Sequence, residues 1–133
     1  MHIPAHISGS GLGYGRAMNV GMCFDRSLPA PFVVEVAEAL DAAHVDQLWV
    51  IEDCFYTSAV PLAAAALTAT EHLTVGLGIL PAVVRNAAMT AMEIATLCDL
   101  APGRLVAGIG HGEQTWMGQI GARTASPVTT LEE

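Results

Sequence analysis

The segment LTVGLGILPAVVRNAAMTAMEIATLCDLAPGRLVAGIGHG, residues 73–112, reads as strand, helix, strand and glycine loop. Thr74 to Leu80 is short and apolar with glycines between its large residues, and Pro81 ends it. Asn86 then precedes a helical pattern whose apolar positions include Met89, Met92, Leu97 and Leu100. Pro102-Gly103 stops that helix. Arg104 to Ile109 forms a second apolar run, closed by Gly110-His111-Gly112. Two buried parallel strands joined by a helix give this pattern, because a strand covered on both faces loses polar alternation.

The same grammar extends upstream. Ala17 to Phe24 reads as a first strand, followed by the loop Asp25-Arg26-Ser27, where a ligand could be touched. Pro29 and Pro31 open a helix with Phe32, Val33, Val36, Ala37 and Leu40 on one face. Gln47 to Ile51 is a second strand, and Glu52-Asp53 stands where its apolar run stops. Ser58 is placed to cap the alanine-rich helix that follows, with Pro61 tolerable in its first turn. Downstream, Ser126-Pro127 reads as the cap and first residue of a further helix. Strands alternating with helices point to an α/β fold with a parallel sheet, and periodicity alone allows an open doubly wound sheet or a barrel. Residues 1–16 are rich in Gly, His and Ser without a period and read as a disordered extension. Gly11-Leu12-Gly13-Tyr14-Gly15 follows no strand, so it fails the context of a dinucleotide loop.

Composition narrows the function. The chain of 133 residues has the length of one domain, and thirteen carboxylates against five arginines with no lysine give a net charge of −8. No basic patch exists to neutralise phosphates, which excludes nucleic acid as a partner class. Without lysine there is neither a Schiff-base lysine nor a P-loop lysine. Cys23, Cys54 and Cys98 form no C-x-x-C pair, so they read as buried free thiols of a cytoplasmic protein, not as a metal site or disulfide framework. No run reaches the roughly 18 apolar residues of a membrane span, and the N-terminus lacks the pattern of a signal peptide.

GLGILPAVVRN and MEIATLCDLAPGRLVAGIGHGE, with VDQLWVIED upstream, resemble the luciferase-like monooxygenase superfamily. Within it they resemble the oxidoreductases that use the deazaflavin coenzyme F420. The resemblance runs from about Met18 to Glu133. It implies a (β/α)8 TIM barrel, which typically takes about 250 residues. Residues 17–133 are thus expected to form the N-terminal half of one, with about four parallel strands and three to four helices. An open half-barrel leaves two sheet edges and the inner strand face uncovered. Pairing with a second copy or another chain, or poor stability alone, is the expected consequence.

In such folds ligands sit at the C-terminal ends of the strands. The resemblance implies that Glu52 lies near the cofactor ring and Asp53 near the substrate, at a position where the family commonly has histidine. It implies that Gly78, Ile79 and Leu80 back the ring, with a bulge and a non-prolyl cis peptide at 78–79. Gly110 and Gly112 would let backbone approach a ring or phosphate closely. Glu113 matches an acidic residue of related sugar-phosphate dehydrogenases and is the first candidate proton donor, with His111 second and Asp53 third. A pKa raised by burial would suit Glu113 or His111 as an acid. Trp116 and Met117 either line the pocket or pack in the core. Arg104, the arginine of the family's GR turn, is expected to pair with a carboxylate at the barrel bottom. The implied activity is hydride transfer between F420 and a small organic substrate, with no metal. FMN with a two-component monooxygenase activity is the alternative cofactor reading. A non-catalytic half-barrel that only assembles with a partner or second copy is the alternative of a different class.

Overall fold

The computed structural model describes residues 18–132, so the segment read as an N-terminal extension lies outside the described residues. Strands β1 (Gly21–Cys23), β2 (Gln47–Val50), β3 (Thr74–Pro81) and β4 (Leu105–Gly110) alternate with helices α1 (Phe32–Ala42), α2 (Ala59–Ala69) and α3 (Ala87–Leu100). Two short helices follow, α4 (Gln114–Gln119) and α5 (Pro127–Glu132). The strands form a four-stranded sheet in the order β1-β2-β3-β4, and every neighbouring pair is parallel.

β1 is shorter than the apolar run suggests. Its partner begins at Gln47, and just before that Asp46 turns its carboxylate to accept the Val20 N–H at 2.7 Å. The ladder therefore starts at Gly21. Pro31 stands at the N-cap of α1, just outside the helix. In α2 the buried residues Ala59, Leu62, Ala63, Ala66 and Leu67 recur at helical spacing, a stripe narrow enough for the helix to lie close on the sheet. Asn86 caps α3 by accepting the Ala88 N–H at 2.9 Å, and Gly103, at φ 76°, turns the chain after it.

The apolar face read onto α3 is only partly buried. Leu97 packs inward, whereas Met89, Met92 and Leu100 border the seam with α2 and stay exposed. The thiols also differ from expectation: Cys23 and Cys98 are exposed and Cys54 is half-buried. Cys23 lies on the edge strand β1 in register with Trp49, on the face that no helix covers.

The core sits between the sheet and α1 and α2, filled by Leu48, Val50, Val75 and Leu77 from the strands and Val33 and Leu67 from the helices. Two polar fasteners hold this layer. Asp41, in the last turn of α1, accepts the N–H groups of Glu71, His72 and Leu73 at 2.9, 3.1 and 2.7 Å. Those bonds hold its pKa below the ordinary carboxylate value. Among the described residues Arg104 meets no carboxylate. It donates to the carbonyls of Leu67 (2.8 Å) and Leu73 (3.1 Å) and to Thr70 Oγ1 (3.0 Å), closing the C-terminal end of α2, where a cation suits the helix dipole.

On the opposite sheet face Trp49 lies flat over Gly76, so closely that a Cβ there would overlap its indole, and it reaches Gly78 as well. Its Nε1 donates to Gln47 Oε1 at 3.0 Å. Val106 on β4 is exposed.

Candidate functional site

The C-terminal ends of β2, β3 and β4 converge on one hollow of about 260 Å3. Glu52, Asp53 and Cys54 reach it from β2. Gly78, Ile79 and Pro81 reach it from β3. Gly110, His111, Gly112 and Glu113 come from β4, and Trp116 and Met117 from α4. Leu80 is the exception among the residues named from the sequence. It is 1% exposed and belongs to the core, because it points to the helix side of the sheet.

A bulge sets this divergence. The β3–β4 register passes from Leu77↔Ala107 to Leu80↔Ile109, so Gly78 and Ile79 together oppose Gly108. The Gly78–Ile79 peptide is cis, as the resemblance implied. Ile79, 36% exposed, lies over the glycines of β4, and a Cβ on Gly110 would stand 3.0 Å from its Cδ1. Gly112 has φ 71°, and a Cβ there would come within 3.0 Å of Pro81 Cβ and 3.1 Å of Met117 Sδ. The wall formed by Ile79 and this glycine backbone is largely apolar.

The acids at the rim are all engaged. Glu52 bonds both terminal nitrogens of Arg85, which also reaches Glu93 Oε2 at 3.0 Å. Glu52 Oε2 further accepts the Ser58 hydroxyl at 3.1 Å and the Ala59 N–H at 3.0 Å. Ser58 occupies the N-cap position of α2 but makes no side-chain cap bond, so Glu52 caps that helix in its place. The hydrogen bonds that Arg85 donates to Glu52, with the charges of Glu52 and Glu93, raise the Arg85 pKa above its ordinary value.

Asp53 pairs with Arg26. The Arg26 guanidinium lies over the rings of Tyr56 and Trp116, 4.8 and 5.7 Å from their centroids. Asp25 accepts the Ser27 N–H at 2.8 Å and its hydroxyl at 2.7 Å, shaping the loop that presents Arg26, and its pKa is lowered by these bonds. Sequence reading had marked this loop as a place of ligand contact without assigning Arg26 a partner. The available signal was a cation directly after a strand end.

Glu113 does not have the burial that would raise its pKa. It is exposed and caps α4, accepting the N–H groups of Thr115 (3.1 Å) and Trp116 (2.9 Å). Those bonds lower its pKa. His111 is exposed, with Nδ1 2.6 Å from the Gly112 carbonyl. A carbonyl can only accept, so Nδ1 carries the proton and Nε2 is left for other partners.

The comparisons with known proteins agree with the fold. The family model for luciferase-like monooxygenases matches residues 7–133. A 5,10-methylenetetrahydromethanopterin reductase of Methanolobus tindarius is 27% identical over 116 residues, covering 87% of this chain and 36% of that protein. The FMN-bound oxygenating constituent of 3,6-diketocamphane monooxygenase from Pseudomonas putida superposes with a TM-score of 0.78 at 19% identity, over 87% of this chain and 37% of that one. The coenzyme F420-dependent tetrahydromethanopterin reductase of Methanopyrus kandleri gives 0.75 at 18% identity, over 86% and 37%. The structural matches speak to the fold, a partial TIM barrel, and the chain spans little more than a third of the length of these relatives. On the family match, the chain belongs to the luciferase-like monooxygenase family.

Proposed function

We propose that the hollow takes the flat ring of F420 and that hydride is exchanged there with a small organic substrate. The observation that carries this reading is the meeting of Gly78-Ile79, Gly110-His111-Gly112 and Glu52-Asp53 at one hollow. The glycine-lined wall suits a planar ring. At about 260 Å3 the hollow falls below the roughly 300–1,000 Å3 of complete ligand sites, as one wall of a larger site would.

When bound, the ring supplies or accepts the hydride. The chain's own residues bind, orient and move protons. Ile79 and the backbone at Gly110 and Gly112 fix the plane in which a ring can lie. Glu52, anchored by Arg85, holds a fixed, charge-compensated carboxylate at the rim. Glu113, held at low pKa by α4, is charged near neutral pH and serves as an acceptor, so proton transfer falls first to His111, whose Nε2 accepts a proton in the neutral ring and donates one only from the imidazolium. Asp53 orients Arg26. The free cysteines suit a reducing cytoplasm, and among the described residues no helix is long and apolar enough to cross a membrane.

FMN is the second reading, favoured by the FMN-bound monooxygenase that shares the fold. Titration of the chain with F420 and with FMN, followed by the visible absorption of each, tests both. Saturable change with F420 and little with FMN is the expected result. Change with neither overturns the catalytic reading and favours a half-barrel that works only when paired with a second copy or another chain. The exposed Val106 and the edges of β1 and β4, unpaired among the described residues, support that third reading.

A further inference from the structure

Of the arginines at and below the strand ends of the described sheet, Arg26 is the one that the proposed chemistry leaves unused. Arg85 is enclosed by Glu52 and Glu93, and Arg104 is committed to the carbonyls around the end of α2. Arg26 stands at the C-terminal end of β1 with its side chain 41% exposed. A guanidinium offers five N–H donors in a planar fork. Only Nη1 is engaged, by Asp53, and among the described residues Nε and Nη2 have no acceptor. Tyr56 and Trp116 flank the fork with their faces, which favours one orientation and strips water from its sides.

The electrostatic setting permits an anion despite the acidic rim. Asp53 borders the hollow and is neutralised by Arg26 itself, Glu52 is neutralised by Arg85, and Glu113 is bound to the amides of α4. Asp53 also borders the adjoining depression that Arg26 lines together with Asp25, whose carboxylate accepts the Ser27 N–H and hydroxyl, so Arg26 stands next to the hollow. We infer that Arg26 is an oxyanion-recognition residue, whose free Nε–Nη2 edge takes a carboxylate or phosphate of the ligand by paired, charge-assisted hydrogen bonds. The inference rests on the hollow being a ligand site, not on which redox ring it holds.

Tryptophan fluorescence reads the binding, since Trp116 lies against Arg26. The chain is titrated with inorganic phosphate and with benzoate at constant ionic strength, chloride being the replaced anion. A saturable emission change is expected for the unaltered chain. Arg26→Gln weakens binding at least tenfold, Arg26→Lys restores only part of it, and Asp53→Asn tightens it by freeing Nη1. F420 and its tail-free deazariboflavin core share a ring and differ in the anionic tail. Weaker F420 but unchanged core binding in Arg26→Gln places the recognised anion on the cofactor. Both unchanged, with benzoate binding lost, places it on the substrate. An absent response in the unaltered chain, or equal affinity in Arg26→Gln, overturns the inference. Should Arg26→Gln fail to fold by circular dichroism, unchanged or weaker binding in Asp53→Asn overturns it instead. Arg26-dependent phosphate binding with no spectral response to F420 or FMN leaves this inference standing and the redox reading refuted.

Discussion

Glu52 is expected to be a structural anchor of the site before it is anything else, and its removal gives a measurable cost. Its side chain is 11% exposed and that of Arg85 18%, so the pair is largely but not wholly withdrawn from water. Breaking a fully buried pair costs about 3–5 kcal/mol, and losing a helix cap about 0.5–2. Arg85 keeps Glu93 at 3.0 Å after Glu52 is lost, so its charge is not stranded. Glu52→Ala is therefore expected to cost about 2–3 kcal/mol, below the sum of the two contributions. Arg85→Ala leaves the cap of α2 in place and is expected to cost about 1.5–2 kcal/mol. The double variant should lose about 1–1.5 kcal/mol less than the sum of the singles, the coupling expected of side chains in direct contact. Urea unfolding at pH 7, followed by far-ultraviolet circular dichroism, measures all three. A cost below about 0.5 kcal/mol for Glu52→Ala, or strict additivity, would refute the reasoning and leave Glu52 free for a ligand.

Asp41→Asn weakens the tie between α1 and the start of β3 and should cost about 1 kcal/mol at pH 7. Because the folded pKa of Asp41 is lowered, its stabilisation is complete above the ordinary carboxylate value of 3.8 and is lost as pH falls through the folded value. Denaturant midpoints measured from pH 6 downward should fall less steeply in Asp41→Asn than in the unaltered chain, and parallel curves would contradict this. Gly76→Ala drives a Cβ into the Trp49 indole and should cost about 1–3 kcal/mol, with partial recovery in the Gly76→Ala/Trp49→Leu pair by thermal melting. Glu113→Gln removes the charged cap of α4, so Trp116 emission should shift to the red and its dependence on acid should disappear. An unchanged spectrum would contradict the capping role.

The parallel sheet and its strand ends were legible because both rest on local signals. The apolar runs at 74–80 and 104–109 are too continuous for a half-exposed sheet, and turn residues mark their limits. The ends of such strands gather by topology, which brought Glu52, Gly78, His111 and Gly112 to one hollow. What was not legible is set by contacts distant in sequence. Arg26 meets Asp53 across 27 positions and Arg85 meets Glu52 across 33, and no local pattern announces either. Ser58 is a natural cap by type, yet Glu52 arrives over the same helix end with a full charge and takes the Ala59 amide. The capping of α4 by Glu113 was not legible, because α4, six residues long, has too few positions to show a period. Leu80 was placed at the cofactor although the bulge at 78–79 sends Ile79 to the hollow and Leu80 to the core.

The most direct test is a nitrogen-15 correlation spectrum of the labelled chain titrated with F420. The account predicts saturable shifts concentrated on the amides of Gly78, Ile79, Gly110 and Gly112, with those of α1 and α3 nearly unmoved. Shifts that never saturate, or that fall mainly on the helices away from the strand ends, would contradict it.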